Sequence, residues 1–160
     1  MSLFPQLTPE QLTSSLMGTI RFRPEAMLFA AVSTLRKDGA PLTIPQGFWY
    51  DGEYIYITMV PERSSVKRLR RDPRICVCFY NWSMPSSFIT VSGIAEEIED
   101  PGHEMSLKIT RRYPKGDAVD EEAFDRQWLQ QGQVLFRIRI LSALGIPFGH
   151  DNMDAALPSK

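Results

Sequence analysis

The chain has 160 residues, of which 43% are hydrophobic and 23% are charged, as is typical of one globular domain with a single core. Its 18 basic residues are balanced by 19 acidic residues, which argues against a nucleic-acid binder or a membrane-surface binder. No apolar run reaches the roughly 18 to 20 residues that span a bilayer, and the N-terminus lacks the basic-then-apolar order of a signal peptide. We therefore expect one cytoplasmic domain over residues 1–160.

Two helices are predicted in the first half of the chain. Thr8 before Pro9 is typical of a helix start, so the first helix is expected from Thr8 to Met17, within an N-terminal helical segment 1–26. The second is a short basic helix at 65–71, which Asp-Pro ends because a residue before proline disfavours the helical conformation.

Three strands are predicted between these helices. Apolar, β-rich stretches alternate with the pairs Asp38-Gly39 and Asp51-Gly52, and glycine at such positions supplies the positive φ of a tight turn. The pattern predicts a three-stranded antiparallel meander. Its strands are expected at 27–35, 40–50 and 53–60.

Three more strands are predicted in the second half. The run at 75–80 is continuously apolar, which favours a strand buried on both faces, and in the strand at 88–98 Gly93 indicates a bulge. The strand at 134–140 alternates apolar and basic residues, so its two arginines are expected to face away from the core. A helical insertion is predicted at 100–133, and residues 151–160 are predicted to form a tail.

No self-sufficient active site or metal site is evident, so the catalytic residues stay unknown. Cys76 and Cys78 share one face of a strand and cannot form an ordinary disulfide, which favours a buried structural role. His103 and His150 lack metal-ligand spacing and are predicted to lie at the surface. An acidic cluster is most simply the solvated first turn of a helix. Its members are Asp117, Asp120, Glu121, Glu122 and Asp125.

The segment from the third strand into the basic helix carries the strongest functional signal. A helix N-terminus presents unpaired N–H groups and the positive end of the helix dipole, so it is suited to bind phosphate. Ser64 and Ser65 are expected to cap the helix and to contact the phosphate, with Arg63 and Lys67 supplying charge. The alternative is a solvated basic helix whose side chains cover apolar surface. Because no self-sufficient active site is evident, any enzymatic chemistry would need a cofactor.

Several motifs together resemble a known family. They are Lys37-Asp38-Gly39-Ala40-Pro41, Pro45, Leu69-Arg70-Arg71-Asp72-Pro73-Arg74, Val91-x-Gly93-x-Ala95 and Leu144-Gly145-Ile146-Pro147-Phe148-Gly149. In order and spacing the chain is similar to the split β-barrel proteins related to pyridoxamine 5′-phosphate oxidase, and the last motif is similar to the branch that binds the deazaflavin coenzyme F-420. The resemblance covers nearly the whole chain.

The resemblance implies a mainly β fold with helices (α+β), a six-stranded antiparallel split β-barrel that forms a homodimer with a flavin-type cofactor at the interface. Pro45 and Gln46 would approach the cofactor ring, and Ile57 and Thr58 would line it through strand backbone and hydroxyl. The phosphate would be held by Arg63, Ser64, Ser65 and Lys67. Many relatives carry a lysine at the position of Ser65.

The implied function is a reductase that uses F-420 or FMN to transfer two electrons to a small organic acceptor. The final residues lack the Arg-Leu-x-Pro of true pyridoxamine phosphate oxidases, which argues against that activity. Tyr80 or a bound water is a candidate proton donor, and Trp82 is a candidate for the substrate lining or a dimer seam. The alternatives are a non-catalytic protein that binds a flavin, haem or another flat ligand, and a structural dimer without a ligand.

Overall fold

The computed structural model describes residues 4–22, 29–81, 84–112 and 120–146. The interpretations that concern Trp82, Asp117, His150 and the tail 151–160 lie outside these ranges.

Six antiparallel strands form a closed barrel in the order β1-β2-β3-β6-β5-β4, and the pairing of β1 with β4 closes it. The α+β barrel that the sequence predicted is therefore confirmed. Gly39 and Gly52 have φ values of +85° and +107°, as the Asp-Gly turns require. The strands are β1 Phe29–Leu35, β2 Pro41–Tyr50, β3 Ile55–Met59, β4 Arg74–Asn81, β5 Met84–Ile98 and β6 Val134–Gly145.

Four helices accompany the barrel in the described ranges. The first helix continues to Phe22 instead of ending at Met17, because a glycine such as Gly18 weakens a helix without necessarily ending it. The last two form the predicted helical insertion between β5 and β6. The helices are α1 Pro9–Phe22, α2 Ser64–Arg71, α3 Glu104–Thr110 and α4 Glu121–Gln130, with a 3-10 turn at Pro101–His103 before α3. None of these helices is long and apolar enough to cross a membrane.

The hydrophobic core fills the barrel interior. Phe48, Ile57 and Phe79 are fully buried, and the rings of Phe48 and Phe79 meet edge to face with centroids 4.8 Å apart. Leu12 and Leu16 of α1 join the same cluster. This helix therefore adds apolar packing from outside the sheet.

The predicted bulge lies in β5, where the register with β6 shifts between Ser92 and Gly93. A Cβ at Gly93 would lie 2.7 Å from the carbonyl oxygen of Arg139, so only glycine fits without movement. The arginines of β6 face outward as predicted, and Arg137 donates to Glu96 at 2.8 Å.

The prediction that β4 is buried on both faces is wrong for the single chain that the structure describes. Ile75 and Val77 are buried, but Cys76 and Cys78 are only half-buried on the outer face and both are free thiols. The alternating pattern shows that β4 has one core face, although its sequence is apolar throughout. Even this partial burial raises the pKa of the Cys76 thiol.

Candidate functional site

The barrel is split between β2 and β3. Their ladder runs from the pair Tyr50–Ile55 to the pair Phe48–Ile57 and ends there. Beyond that point β2 remains paired with β1, and β3 remains paired with β6 through Thr58 and Met59. The two strands therefore separate while each keeps its outer neighbour.

A cleft of about 230 Å³ occupies this split. Its walls come from the first residue of β1, from β2, from the end of β3, from the turn before α2, from the helices α3 and α4, and from the residue before β6. The lining comprises Phe29, Pro45, Gln46, Gly47, Thr58, Met59, Val60, Arg63, Ile109, Thr110, Phe124, Trp128 and Gln133. The lining combines apolar and aromatic side chains with five polar residues, a mixture that suits an organic ligand with polar groups.

A hydrogen-bonded chain fixes the wall of this cleft. Thr58 Oγ1 donates to Oε1 of Gln133 at 3.3 Å, so Ser106 supplies the hydrogen in its own 3.1 Å contact with Thr58. Gln133 in turn donates to the carbonyl oxygen of Trp128 at 3.0 Å. The buried hydroxyl of Thr58 thus joins β3 to α3 and to the end of α4.

The start of α2 differs from the prediction. Arg63 is the N-cap residue, and no side chain caps the helix, because Ser64 and Ser65 are already its first and second residues. The prediction that these serines cap α2 is therefore wrong. The first turn also has no acidic residue, so neither a side-chain cap nor a carboxylate offsets the positive end of the dipole.

Arg68 is a residue of this region that the sequence interpretation did not single out. Its guanidinium donates to Ser64 Oγ at 2.9 Å and to Ser65 Oγ at 3.3 Å. Because residues three and four apart lie on the same helix face, the spacing of Arg68 from both serines could have revealed this contact. Its burial depends on the barrel and could not be predicted in the same way.

The structure brings four of the eight predicted site residues to the cleft. These are Pro45, Gln46, Thr58 and Arg63. Ser64 and Ser65 lie beside it at the start of α2, and Lys67 is exposed further along the same helix. Ile57 points into the barrel core, so any contact with a ligand is limited to its backbone. Phe124 and Trp128 were not predicted, because their position depends on how α4 packs.

The other candidate groups have local structural explanations. Asp120 caps α4 by accepting from the N–H of Ala123 at 3.1 Å, and Asp125 pairs with Arg111 at 3.0 Å. The prediction that His103 lies at the surface is wrong, because this residue is half-buried where the backbone turns into α3 with a positive φ of 56°. The described ranges contain no group of three or more residues that could hold a metal ion.

The pyridoxamine 5′-phosphate oxidase family model matches residues 18–135, which is most of the chain. The chain belongs to the pyridoxamine 5′-phosphate oxidase family. No curated protein matches the sequence of this chain significantly.

Solved structures confirm the split-barrel fold of the family. An F-420 reductase is 23% identical, with a TM-score of 0.58 over 72% of this chain and 88% of its own. A FAD-binding protein from Mesorhizobium loti is 20% identical, with a TM-score of 0.56 over 89% and 94%. HutZ, a haem storage protein from Vibrio cholerae, is 14% identical, with a TM-score of 0.62 over 82% and 94%. At these identities the likeness extends to the fold alone.

Proposed function

We propose that this protein is an oxidoreductase that binds a flavin-type cofactor, coenzyme F-420 or FMN, and transfers two electrons to a small organic acceptor. The observation that carries the proposal is the continuity of two features. The cleft in the barrel split leads through Arg63 to the uncapped N-terminus of α2. A ligand with a flat ring joined by a short chain to a phosphate ester fits these adjoining subsites, with the ring in the cleft and the phosphate at the start of α2.

The start of α2 has the donor set that a phosphate ester requires. The N–H groups of Ser64 and Ser65 lack intrahelical acceptors by helix geometry, whereas that of Val66 already donates to the carbonyl oxygen of Arg63 at 3.0 Å. The exposed side chain of Ser64 lies beside these two free groups. Arg63 is exposed and lines the neighbouring cleft, so its guanidinium can form charge-assisted hydrogen bonds there. These groups fit a phosphate monoester or diester.

The cleft offers apolar contacts for a ring but cannot enclose a whole cofactor. Phe124 and Trp128 of α4 supply aromatic surface, and Phe29 at the cleft is 47% exposed. The volume of about 230 Å³ lies below the ~300–1,000 Å³ of sites that enclose an organic ligand. We propose that a second copy of the chain covers the remainder, which gives a homodimer with the cofactor at its interface.

The bound cofactor would supply the hydride chemistry, and the chain would supply position and environment. Arg63 and the serine hydroxyls would fix the phosphate end, while the aromatic side chains would exclude water from the ring. Arg63 is the single titratable side chain among the described lining residues. A bound water is therefore the proposed source of the proton that accompanies the hydride.

Turnover tests this proposal directly. Reduced F-420 or reduced FMN is mixed anaerobically with the protein and a panel of quinones and unsaturated lactones, and oxidation of the cofactor is followed by absorbance. We expect protein-dependent oxidation with at least one acceptor. The variant Arg63→Met should weaken it, whereas Arg126→Met, an exposed arginine of α4 outside the cleft, should not.

The second candidate function is binding of a flavin or another flat ligand without turnover. The observation that favours it is the lack of a carboxylate, histidine or tyrosine among the described lining residues, which leaves the cleft without a general acid of its own. Tight binding of FMN, F-420 or haem together with no protein-dependent oxidation would support this function and contradict the reductase.

A further inference from the structure

Arg68 of α2 is a buried cation at the start of the proposed phosphate site. Only 9% of its surface is exposed, and its three hydrogen bonds all go to hydroxyl oxygens. Nε donates to Thr34 Oγ1 of β1 at 2.7 Å, while Nη1 and Nη2 donate to Ser64 and Ser65. The guanidinium therefore joins the barrel wall to the first turn of the helix.

The charge of Arg68 has no acidic partner within the described ranges of the chain. Among the residues that the structure describes, no carboxylate forms an ion pair with it. Buried charges are usually paired, because burial removes their hydration. Arg70 shows the usual arrangement on the same helix, since it is exposed and Glu97 accepts from it at 2.7 Å. The surroundings of Arg68 thus favour an anion close to the first turn of α2.

The hydrogen bonds of Arg68 also decide how the serines can act. A serine hydroxyl has two acceptor positions and one hydrogen. Because Arg68 donates to both Oγ atoms, each serine keeps its hydrogen for a further acceptor, and the nearby positive charge makes it a stronger donor. Ser64 is exposed, so this hydrogen can meet a ligand at the helix start.

We propose that Arg68 is a positioning residue for a phosphate ester bound at the start of α2. It holds the exposed hydroxyl of Ser64 as a donor toward the phosphate, fixes the buried hydroxyl of Ser65 behind it, and supplies positive charge from the buried side of the helix. Ser64 and Ser65 carry no charge, so the buried positive charge at the start of α2 comes from Arg68, about one helical turn further along. The inference rests on the proposed cofactor site and assigns its phosphate selectivity to Arg68.

The test compares FMN with riboflavin, which differ only in the phosphate, by fluorescence titration of the purified full chain. The variants are Arg68→Met, Arg68→Lys and Ser64→Ala, with Arg70→Met as the control on the outer face of α2. Melting temperatures are recorded for each. Ser64→Ala removes only an exposed hydroxyl, so this variant should stay folded. It can still test the inference if Arg68→Met lowers the folded fraction.

The expected result is a change in selectivity. Arg68→Met should weaken FMN binding about tenfold, because it removes both the nearby positive charge and the hydrogen bonds that orient the serines, and should leave riboflavin binding nearly unchanged. Ser64→Ala should shift the same ratio in the same direction, and Arg68→Lys should retain part of the selectivity. Arg70→Met should not change it. A purely structural role would weaken both ligands equally.

The outcomes separate this inference from the proposed function. If the wild-type protein binds FMN and Arg68→Met leaves the FMN to riboflavin ratio unchanged, the role of Arg68 is refuted and the cofactor proposal stands. If the wild-type protein binds neither FMN nor F-420, the proposed function fails. The role of Arg68 is then tested by measuring melting temperatures with inorganic pyrophosphate. A melting temperature that pyrophosphate raises in the wild type but not in Arg68→Met supports the anion site. If pyrophosphate does not raise the melting temperature of the wild type, or raises that of both proteins equally, the inference is refuted.

Discussion

The side-chain amide of Gln46 donates a 2.7 Å hydrogen bond to the carbonyl oxygen of Thr58 across the gap between β2 and β3. The bond lies just beyond the Phe48–Ile57 pair, where the ladder between the strands ends. A side chain there replaces a backbone partner, so the strands stay linked while they separate. Gln46 thereby sets the width of the cleft.

Gln46→Ala should weaken cofactor binding more than it weakens the fold. Loss of the bond leaves the Thr58 carbonyl without this donor and costs about 1 kcal/mol of stability. The altered width should reduce the affinity for FMN and F-420, measured by fluorescence titration. Gln127→Ala changes an exposed residue of α4 and serves as the control. Unchanged affinity in Gln46→Ala would contradict the role of Gln46.

Thr58→Val should loosen the helical insertion. The change keeps the shape but leaves the buried Ser106 hydroxyl and the Gln133 carbonyl without their shared partner, at a cost of about 1–3 kcal/mol. Urea denaturation gives the loss of stability, and hydrogen exchange should show reduced protection in α3. The control is Thr43→Val on β2, which removes a 2.7 Å hydrogen bond to the Ser33 hydroxyl that is exposed to solvent, so water can replace it and the cost should be less than about 1 kcal/mol. Equal costs for the two variants would refute this account of Thr58.

The sequence predicts the barrel well because its signals are local. Gly39 and Gly52 mark turns by their need for positive φ, and alternation along β6 separates Arg137 and Arg139 from the core. The site depends on less local information. Arg63 and the serines lie within one segment and could be predicted, whereas Trp128 reaches the cleft only through the packing of α4.

The apolar run of β4 also shows that local sequence does not determine how a strand is packed. Composition alone cannot tell a strand with two buried faces from one whose outer face carries small, half-exposed residues. Cys76 and Cys78 belong to the second kind within one chain. Their surroundings depend on what covers the outer face of the barrel, which is a property of assembly and not of local sequence.

Gly93→Ala should destabilise the barrel. The added Cβ would lie 2.7 Å from the carbonyl oxygen of Arg139 and 2.8 Å from Cγ2 of Ile138, so β5 or β6 must move. We expect a loss of roughly 1–3 kcal/mol in the free energy of unfolding, measured in urea. Ser92→Ala, at the exposed neighbouring position, should change it little. An unchanged urea midpoint in Gly93→Ala would contradict the requirement for glycine at the bulge.

Asp51 should make the stability of the β2–β3 turn depend on pH. Partial burial alone would raise the pKa of its carboxyl, but hydrogen bonds from the N–H groups of Tyr54 and Glu53 and from the Tyr56 hydroxyl outweigh burial and lower it. A lowered pKa in the folded state stabilises the fold above the unfolded value of about 3.9, and this contribution is lost as the pH falls further.

Asp51→Asn should therefore lower stability at pH 7 by about 1 kcal/mol and by less at pH values below about 4. Urea midpoints of both proteins across this range give the comparison. The variant should also let Tyr56 ionise more easily, since burial and the bond to Asp51 raise its pKa to about 12. A stability difference that stays constant as the pH falls would contradict the assignment.

The central claim is that the cleft and the start of α2 together hold a flavin-type cofactor. Its most direct test is a fluorescence polarisation titration of the purified protein with FMN and with F-420, alongside the Arg63→Met variant. We predict saturable binding of at least one cofactor at one site per chain, and clearly weaker binding by Arg63→Met. No saturable binding of either cofactor, or equal binding by wild type and variant, would contradict it.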